Sequence, residues 1–368
     1  MRGLIIAVVG VGRWGRNHVR VLKQLEGEGR VDEVVVCDVR RDAARAVARE
    51  YGVERYYGSV GEMLSECKPD GAVVAVPTLY HYKVAAELLP EADLLIEKPV
   101  AATLEEAAEL VELAEAHGRK VLVGHIERFN QGLISLKEEL AEMARGGDEV
   151  VYLSAQRVGP GPARGRSLNL GVGHDLMVHD VDVASFLLES FTKSVFAVVK
   201  HSPEFEHEVE VDALYTFDNG AETVASIRAS YVARPTFKKR SLLIQTREAS
   251  ISFDYILQTY TIERGATEHR AMRDFVDILA AYRAEDVRIR RLLFRRDSEP
   301  LLVEDRHFVD VVEGRGQPFV SLVDGYIALK NVLMALKSAS KRVELEIEWD
   351  EPFIDPESYY EGRRGGGP

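Results

Sequence analysis

Three groups of residues in this sequence have types and spacings that suit a common reaction. The first is the run from Gly10 to Gly15, which has the pattern Gly-x-Gly-x-x-Gly. The second is Glu97-Lys98-Pro99, and the third is Asp175 with His179 on a predicted helix. A glycine-rich turn of this pattern holds the pyrophosphate of a dinucleotide. An amine and an imidazole can take a hydroxyl proton and stabilise the charge that develops, so the groups suggest oxidation of a hydroxyl by a dinucleotide cofactor.

The glycine-rich run lies where a predicted strand ends and a helix begins. Gly10 is expected to make the tight turn, Gly12 to let the backbone approach a pyrophosphate, and Gly15 to let the helix pack against the strand. Asp38 ends the next strand, at the distance where an acid binds the adenosine ribose and repels a 2′-phosphate. This predicts NAD and disfavours NADP, although Arg40 and Arg41 weaken that preference. The alternative is a structural turn with a loop carboxylate.

Lys98 follows a predicted strand, and the carboxyl ends of parallel strands border the ligand crevice. Its ammonium group is therefore expected near the nicotinamide and the substrate, where it would stabilise a negative charge that develops on oxygen. Pro99 restricts the backbone at Lys98 and allows a cis peptide bond. The alternative is an ordinary solvated lysine.

On a helix, Asp175, His179 and Asp182 share one face. A neighbouring carboxylate orients an imidazole and makes it a better base, which predicts a catalytic role for His179. One alternative is a histidine on an ordinary helix face. Another is a metal ligand, but no His/Cys cluster nearby in the sequence provides further ligands, and we predict no metal. Whether Lys98 or His179 is the formal base stays open from the sequence.

The elements that must position these residues follow from the apolar pattern. The first 125 residues alternate short apolar runs with amphipathic helices, which is typical of a doubly wound parallel sheet. The clearest helix runs from the N-cap Thr103 to His117, and Gly118 ends it. We predict an α/β fold that begins with a Rossmann domain over residues 1–124. Its strand candidates are Leu4–Val9, Val34–Cys37, Ala72–Val76, Leu94–Ile96 and Lys120–Gly124.

After residue 124 the pattern changes to successive strands, which indicates a largely antiparallel, open sheet in an α+β domain over residues 125–354. The tail over 355–368 is predicted to be disordered. A broad sheet face is usually covered by a partner subunit, so we expect a homodimer or homotetramer through this sheet. The predicted strands are 150–157, 195–200, 209–217, 222–227, 241–245 and 250–253, and the predicted helices are 173–189, 301–313 and 322–340.

Composition narrows the class of protein. With 368 residues, 46% of them hydrophobic, the chain has room for two domains. Its net charge of −13 argues against a nucleic acid or a membrane surface as partner, because such a field repels phosphate. Two cysteines provide no disulfide framework, and the apolar run near Met1 is too short for a membrane span. We therefore expect a cytoplasmic protein that acts on a small molecule.

The order of these motifs resembles the glucose–fructose oxidoreductase / inositol dehydrogenase (Gfo/Idh/MocA) family of NAD(P)-dependent sugar oxidoreductases. The resemblance extends from about Leu4 to Arg342 and also includes the turn Val320 to Gly325. It implies that Lys98 and His179 are the catalytic pair and that Asp175 binds and orients the substrate. The predicted cofactor-binding residues are Gly10, Val11, Gly12, Arg13, Trp14, Gly15, Asp38, Val76, Pro77, Thr78, His81, Glu97 and Lys98.

Two stretches, Val123 to Asn130 and Arg157 to Val172, look most similar to UDP-N-acetylglucosamine 3-dehydrogenases within that family. The arginines of the second stretch agree, because guanidinium groups suit a diphosphate. The alternative is a surface loop with solvated arginines. The predicted substrate-binding residues are Arg128, Asn130, Arg157, Arg164, Arg166, Asn169, Asp175 and His179.

The expected function is thus NAD-dependent oxidation of a secondary hydroxyl of a nucleotide sugar, such as UDP-N-acetylglucosamine at C3. A second hypothesis is a dehydrogenase of a free polyol, a simple sugar or a sugar acid. A third is a non-catalytic NAD-sensing regulator of the same fold, which the presence of both Lys98 and His179 disfavours.

Overall fold

The computed structural model describes residues 3–161, 170–265, 286–291 and 296–361. Within these ranges the chain forms two compact units. The first consists of residues 3–129 and 296–330, and the second of residues 130–161, 170–265, 286–291 and 331–361. The boundary follows Phe129 instead of Gly124, and Arg296–Lys330 belongs to the first unit, whereas the sequence pattern places it with the second domain.

A parallel sheet forms the core of the first unit. Its strands are β1 (Ile5–Val9), β2 (Glu33–Cys37), β3 (Arg55–Tyr57), β4 (Gly71–Val74), β5 (Asp93–Glu97) and β6 (Val121–Gly124). They lie in the order β3-β2-β1-β4-β5-β6, and every pair is parallel. The predicted Rossmann sheet is confirmed. The sequence pattern misses β3 because this edge strand has only three residues.

Five helices alternate with these strands. They are α1 (Gly15–Gly27), α2 (Arg41–Tyr51), α3 (Val60–Glu66), α4 (His81–Leu88) and α5 (Leu104–His117). The predicted caps of α5 are present: the Thr103 hydroxyl accepts the Glu106 N–H at 3.2 Å, and Gly118 has a left-handed φ of 61°. Because all the strands run the same way, the residues that follow β1, β2 and β5 lie at one edge of the sheet.

A later helix, α8 (Pro300–Val312), also packs in the first unit, against α1. Phe308 is fully buried, and a Cβ at Gly71 in β4 would lie only 3.0 Å from its ring. Helix α9 (Leu322–Lys341) follows, and its Gly325 lies against Val100 and Val123. These contacts join residues far apart in sequence, so local periodicity cannot assign α8 to its domain.

The second unit contains a mixed sheet of nine strands. They are β7 (Val150–Val158), β8 (Thr192–His201), β9 (Glu208–Phe217), β10 (Val224–Ser230), β11 (Lys239–Thr246), β12 (Ala249–Asp254), β13 (Thr259–Arg264), β14 (Asp286–Arg291) and β15 (Leu345–Glu346). The order is β14-β13-β12-β11-β7-β10-β9-β8-β15, with β7 and β10 parallel and the other described pairs antiparallel. The predicted α+β class is confirmed. Strand β10 begins after Glu222, whose φ of 51° belongs to a turn.

Two helices accompany this sheet, α6 (Gln131–Arg145) and α7 (Val178–Leu188). A Cβ at Gly132 in α6 would lie 2.9 Å from the Phe253 ring of β12, which shows how closely this helix approaches the sheet. The Tyr215 hydroxyl of β9 donates to the Asn331 carbonyl at 3.0 Å. Among the described helices, none is long and apolar enough to cross a membrane.

The described segment after β15 extends to Glu361 and includes residues 355–361 of the tail that the sequence predicts to be disordered. The rings of Trp349, Tyr359 and Tyr360 lie 4.9, 5.6 and 5.0 Å from the Phe191 ring. Aromatic contacts of this kind stabilise a segment that otherwise looks polar. Residues 362–368 lie outside the described residues.

Candidate active site

The glycine-rich turn between β1 and α1 has the backbone that the sequence predicts. Gly10 has a φ of +91°, and a Cβ there would lie 2.7 Å from the backbone of Ala75. A Cβ at Gly15 would lie 1.9 Å from the Gly10 carbonyl oxygen. Both positions therefore exclude any side chain. A Cβ at Gly12 would meet nothing within 4 Å, so this backbone is open to a ligand.

Gly12 lines a cleft of about 880 Å³ at the carboxyl edge of the parallel sheet. The predicted cofactor residues along it are Gly10, Gly12, Arg13, Trp14, Asp38, Val76 and Pro77. Sequence reasoning misses another part of the lining, Tyr80, Lys83, Val84 and Glu87. These four positions have the i, i+3, i+4, i+7 spacing of one helix face, and they follow the predicted Val76-Pro77-Thr78 motif. That spacing is the signal that could have identified them.

Asp38 lies at the end of β2, beside the glycine-rich turn. Its Oδ2 accepts the Val11 N–H at 3.1 Å, and its Oδ1 accepts the Arg40 N–H at 2.9 Å. The carboxylate is therefore held in one orientation at the edge of the cleft. An acid in this place fits the ribose hydroxyls of a dinucleotide, and with the open backbone at Gly12 the residues fit that class of cofactor.

Two predicted cofactor residues have structural partners instead of facing the cleft. The His81 ring is buried, and its Nδ1 and Nε2 lie 2.9 Å from the carbonyl oxygens of Pro99 and Val76. Burial lowers the pKa of His81, which favours a neutral ring that donates to one of these carbonyls. Glu97 is also buried; its carboxylate accepts the Trp14 indole N–H and lies 3.0 Å from His18 Nε2. These two residues hold the cleft wall in place.

Lys98 follows β5 directly and is partly exposed. The Lys98–Pro99 peptide bond is cis, as the sequence allows. The Lys98 N–H donates to Glu97 Oε2 at 3.2 Å. The backbone that carries the predicted catalytic lysine is therefore tied to a buried carboxylate in the first unit.

The Asp175–His179 motif belongs to the second unit, and its helix is less regular than predicted. A π-helical turn (Gly173–Met177) precedes α7, which starts at Val178. Asp175 is exposed, and its Oδ2 accepts the Tyr231 hydroxyl at 2.6 Å. Burial, and then the charge of Asp175, raise the pKa of Tyr231 and keep the phenol protonated. Sequence reasoning misses Tyr231 because it lies beyond β10, far from the motif, and no local pattern marks it.

Arg157, predicted to bind substrate, lies in a buried ion pair. Its side chain is 2% exposed, and Nε and Nη2 donate to the two carboxylate oxygens of Asp180 at 3.1 and 3.0 Å. The guanidinium also lies 5.0 Å from the centre of the Tyr255 ring. A bidentate ion pair of this kind leaves no face for a diphosphate, so we correct the assignment to a structural one.

Arg128 and Asn130 need the same correction. Arg128 is buried, and its Nη1 donates to Asp324 Oδ1 at 3.0 Å within the first unit. Asn130 is buried as the N-cap of α6, where Oδ1 accepts the Gly132 N–H at 3.1 Å and Nδ2 donates to the Tyr255 carbonyl. Asp182, predicted to share a helix face with His179, is buried. The predicted residues Arg164, Arg166 and Asn169 lie outside the described residues.

The fold and this cleft define a dinucleotide-binding protein of the Rossmann class. In the comparison with known proteins, residues 4–125 match an oxidoreductase family with an NAD-binding Rossmann fold, and residues 149–252 match the GFO/IDH/MocA C-terminal domain. The chain belongs to the Gfo/Idh/MocA oxidoreductase family, as its motifs predict, and is thus an NAD(P)-dependent oxidoreductase that acts on CH–OH groups.

Individual relatives agree with this assignment. The chain is 32% identical over 251 residues to UDP-N-acetylglucosamine 3-dehydrogenase of Acidithiobacillus ferrooxidans. This alignment covers 67% of this chain and 73% of that protein. It is 26% identical to scyllo-inositol 2-dehydrogenase (NAD(+)) of Bacillus subtilis, over 93% of this chain and 96% of that protein.

Solved structures show the same fold. A structure of the Acidithiobacillus enzyme superposes with a TM-score of 0.74 at 25% identity, covering 93% of this chain and 99% of the other. Levoglucosan dehydrogenase in complex with NADH and levoglucosan gives a TM-score of 0.79 at 18% identity, covering 95% of this chain and 100% of the other.

Proposed function

We propose that this chain is an NAD-dependent dehydrogenase that oxidises a secondary hydroxyl of a nucleotide sugar, with UDP-N-acetylglucosamine oxidised at C3 as the first candidate. The observation that carries the proposal is the similarity to the UDP-N-acetylglucosamine 3-dehydrogenase, which extends through both domains. The cleft beside Gly12 and Asp38 supports the cofactor, and the Asp175–Tyr231 pair supports a hydroxyl-bearing ligand.

In this proposal the substrate hydroxyl lies within reach of Lys98 and His179. His179 takes the hydroxyl proton, and Lys98 stabilises the negative charge that develops on that oxygen. Asp175, held by the Tyr231 hydroxyl, accepts a hydrogen bond from the sugar and orients it. Bound NAD supplies the acceptor for the hydride that leaves the same carbon.

We also propose that NAD is preferred over NADP, because the Asp38 carboxylate is fixed at the cleft where a 2′-phosphate would lie. Asp38→Ala is expected to raise the NADP-to-NAD ratio of kcat/KM by roughly 10–100-fold, since it removes both a ribose ligand and a repulsive charge. Steady-state kinetics with each cofactor measures the ratio. Asp42→Ala, at a neighbouring position in the first turn of α2, is the control and should leave it unchanged. An unchanged ratio in Asp38→Ala would reject this assignment.

The substrate is tested by following NADH absorbance at 340 nm with a panel of compounds. UDP-N-acetylglucosamine should give a kcat/KM at least about tenfold above scyllo-inositol, free N-acetylglucosamine and glucuronate, because only the nucleotide sugar fills the diphosphate subsite. In a binding assay, Arg164→Ala and Arg166→Ala should each weaken UDP binding about tenfold, whereas the surface variant Arg247→Ala should not. Turnover of free inositol with no UDP binding would overturn the nucleotide-sugar proposal.

A polyol dehydrogenase is the second candidate, and the burial of Arg157 favours it. Arg157 is held by Asp180, so it leaves the set of arginines predicted to bind a diphosphate. The relative that acts on scyllo-inositol also covers most of the chain. The same substrate panel distinguishes the two candidates.

We further propose that the sheet of the second unit mediates homo-oligomerisation. One row across this sheet reads Phe196, Leu214, Ser226, Ser154, Leu243, Ser252, Thr261 and Ile289. The row contains no charge, and its large apolar members Phe196, Leu214, Leu243 and Ile289 are exposed. An uncharged row of exposed apolar side chains suits a second copy of the chain.

A further inference from the structure

Four ionisable side chains are buried together behind the end of β5, and the proposed reaction uses none of them. They are His18 of α1, Glu97 of β5, and Glu304 and Asp305 of α8, all in the first unit; we call them the His18 cluster. His18, Glu304 and Asp305 are 0% exposed and Glu97 is 7% exposed. Because a buried charge is costly without a partner, the cluster must contain its own compensation.

The contacts of His18 identify where one proton lies. Its Nδ1 is 2.8 Å from Asp305 Oδ1, and its Nε2 is 3.0 Å from Glu97 Oε1. A neutral imidazole has one N–H and one lone pair, and ionised carboxylates only accept hydrogen bonds. Two carboxylate contacts therefore require a ring that carries both protons, unless a carboxyl group holds one.

Glu97 is not the group that holds that proton. Its Oε1 also accepts the Trp14 indole N–H, and its Oε2 accepts the Lys98 backbone N–H at 3.2 Å. Donors meet both oxygens, so Glu97 acts as an acceptor at each of them. The proton therefore lies between His18 Nδ1 and Asp305 Oδ1, which are 2.8 Å apart, and the charges around the ring favour the imidazolium.

The electrostatics of the cluster agree with this assignment. Burial opposes the charged ring, but the adjacent carboxylates of Asp305 and Glu97 outweigh it and raise the pKa of His18 well above 6.5. Burial raises the pKa of Asp305 as well, while the His18 charge and, at longer range, Arg20 oppose that rise. The other cationic groups on the elements that form the cluster are Arg16, Arg20 and Lys23 of α1, Arg306 of α8, and Lys98 directly after β5.

Glu304 differs from the other acids. Neither carboxylate oxygen has a hydrogen-bond partner among the described residues. Burial, and then the charge of Glu97, raise the pKa of Glu304 well above 4.5, which favours its neutral form. His18, Glu97 and Glu304 offer ligand atoms within 4.8 Å of one another, which raises the question of a metal ion. An ion would have to displace the donors that already occupy Glu97, so the contacts favour protons.

We propose that His18 is a positioning residue that stays protonated and holds the Glu97 carboxylate. Glu97 in turn connects Trp14, at the cofactor cleft, with the backbone of Lys98. The buried proton on His18 would thus keep Trp14, which lines the cofactor cleft, and the backbone of Lys98 in fixed positions. This inference depends on the proposed function only in its turnover measurement.

The first test is ¹⁵N NMR of the histidine rings, with the His18 signals identified by their loss in His18→Asn. His18 should show two protonated ring nitrogens throughout about pH 6 to 8. A single protonated nitrogen, or a titration centred near 6.5, would overturn the proposal. So would one equivalent of tightly held divalent metal in the purified chain that is lost in His18→Asn. This experiment needs no substrate, so its outcome is independent of the proposed function.

The second test uses Asp305→Asn, which removes the strongest support for the imidazolium. The folded-state pKa of His18 should fall into the measurable range. As the pH rises and the ring loses its proton, the kcat of the variant should drop about tenfold, whereas the kcat of the wild type should not change over the same pH range. NAD affinity should weaken along the same titration because Trp14 loses its anchor. Glu304→Gln, an isostere of a neutral glutamic acid, is the control and should leave the His18 ring signals unchanged. A pH-independent decrease in Asp305→Asn would indicate a merely structural role and overturn the proposal.

Stability gives a third readout with a defined sign. A histidine whose pKa is raised on folding stabilises the folded state fully below its unfolded pKa of about 6.5, and this contribution is lost as the pH rises through the folded value. In Asp305→Asn this stabilising contribution should therefore be lost at a lower pH than in the wild type. Urea unfolding measures the free energy of unfolding across this pH range. The same pH dependence in the wild type and the variant would contradict the assignment.

Discussion

Lys98→Ala is expected to lower kcat by about 10²–10⁴-fold while NAD still binds, and His179→Ala is expected to do the same. Lys98 follows β5 at the edge of the sheet where the cofactor cleft lies, so its ammonium group can stabilise the charge of the reacting oxygen. Gly12 and Asp38, which fit the cofactor, are untouched by either change. Steady-state kinetics and NAD titration by fluorescence measure the two effects separately.

Two control variants are available in the first unit. Lys68→Ala removes a surface lysine whose partner is Glu91, and His117→Ala removes an exposed histidine at the end of α5. Both should keep normal turnover. Near-normal turnover in both Lys98→Ala and His179→Ala would reject the catalytic assignment.

The double variant tests whether the two groups act on one hydroxyl. If they do, the loss in Lys98→Ala/His179→Ala should be much smaller than the product of the single losses, because either change already disables the same step. Strictly multiplicative losses would mean that Lys98 and His179 act at independent places. The proposal that both groups act on the same hydroxyl would then be wrong.

Asp180→Ala is expected to cost about 3–5 kcal/mol of unfolding free energy. The reason is that Asp180 is 1% exposed and neutralises Arg157, so its loss leaves a guanidinium buried without its bidentate counter-ion. Urea denaturation followed by circular dichroism measures the change. Arg157→Met, which removes the charge and keeps much of the volume, should restore part of the loss when combined with Asp180→Ala.

The surface pair of Arg247 and Glu149 is the control for this effect. Its side chains are 59% and 44% exposed, and Glu149→Ala should change the unfolding free energy by less than about 1 kcal/mol. If Asp180→Ala were equally mild, and instead raised only the KM of the substrate, Arg157 would return to the substrate-binding set. The experiment therefore decides between a structural and a ligand-binding role.

The parts of this protein that the sequence predicts are those governed by local rules. Buried parallel strands appear in the sequence as short Val/Ile runs. Thr103 and Gly118 mark the ends of α5. The spacing of Gly10, Gly12 and Gly15 indicates a dinucleotide-binding turn. Each of these depends on a few neighbouring residues. The short strand β3 was missed because three residues give too little pattern to identify.

The roles of the charged residues were decided only by the tertiary structure. Arg128 and Arg157 are predicted from the sequence to bind substrate, but they are held by Asp324, which is 196 residues away, and by Asp180. His18, with no partner in its own segment, lies between Glu97 and Asp305, the latter 287 residues along the chain. Whether a side chain is buried, and which opposite charge it meets, depends on how distant segments pack. Local periodicity determined the Rossmann sheet and its glycine-rich turn, whereas long-range packing determined which ions stay inside and which face a ligand.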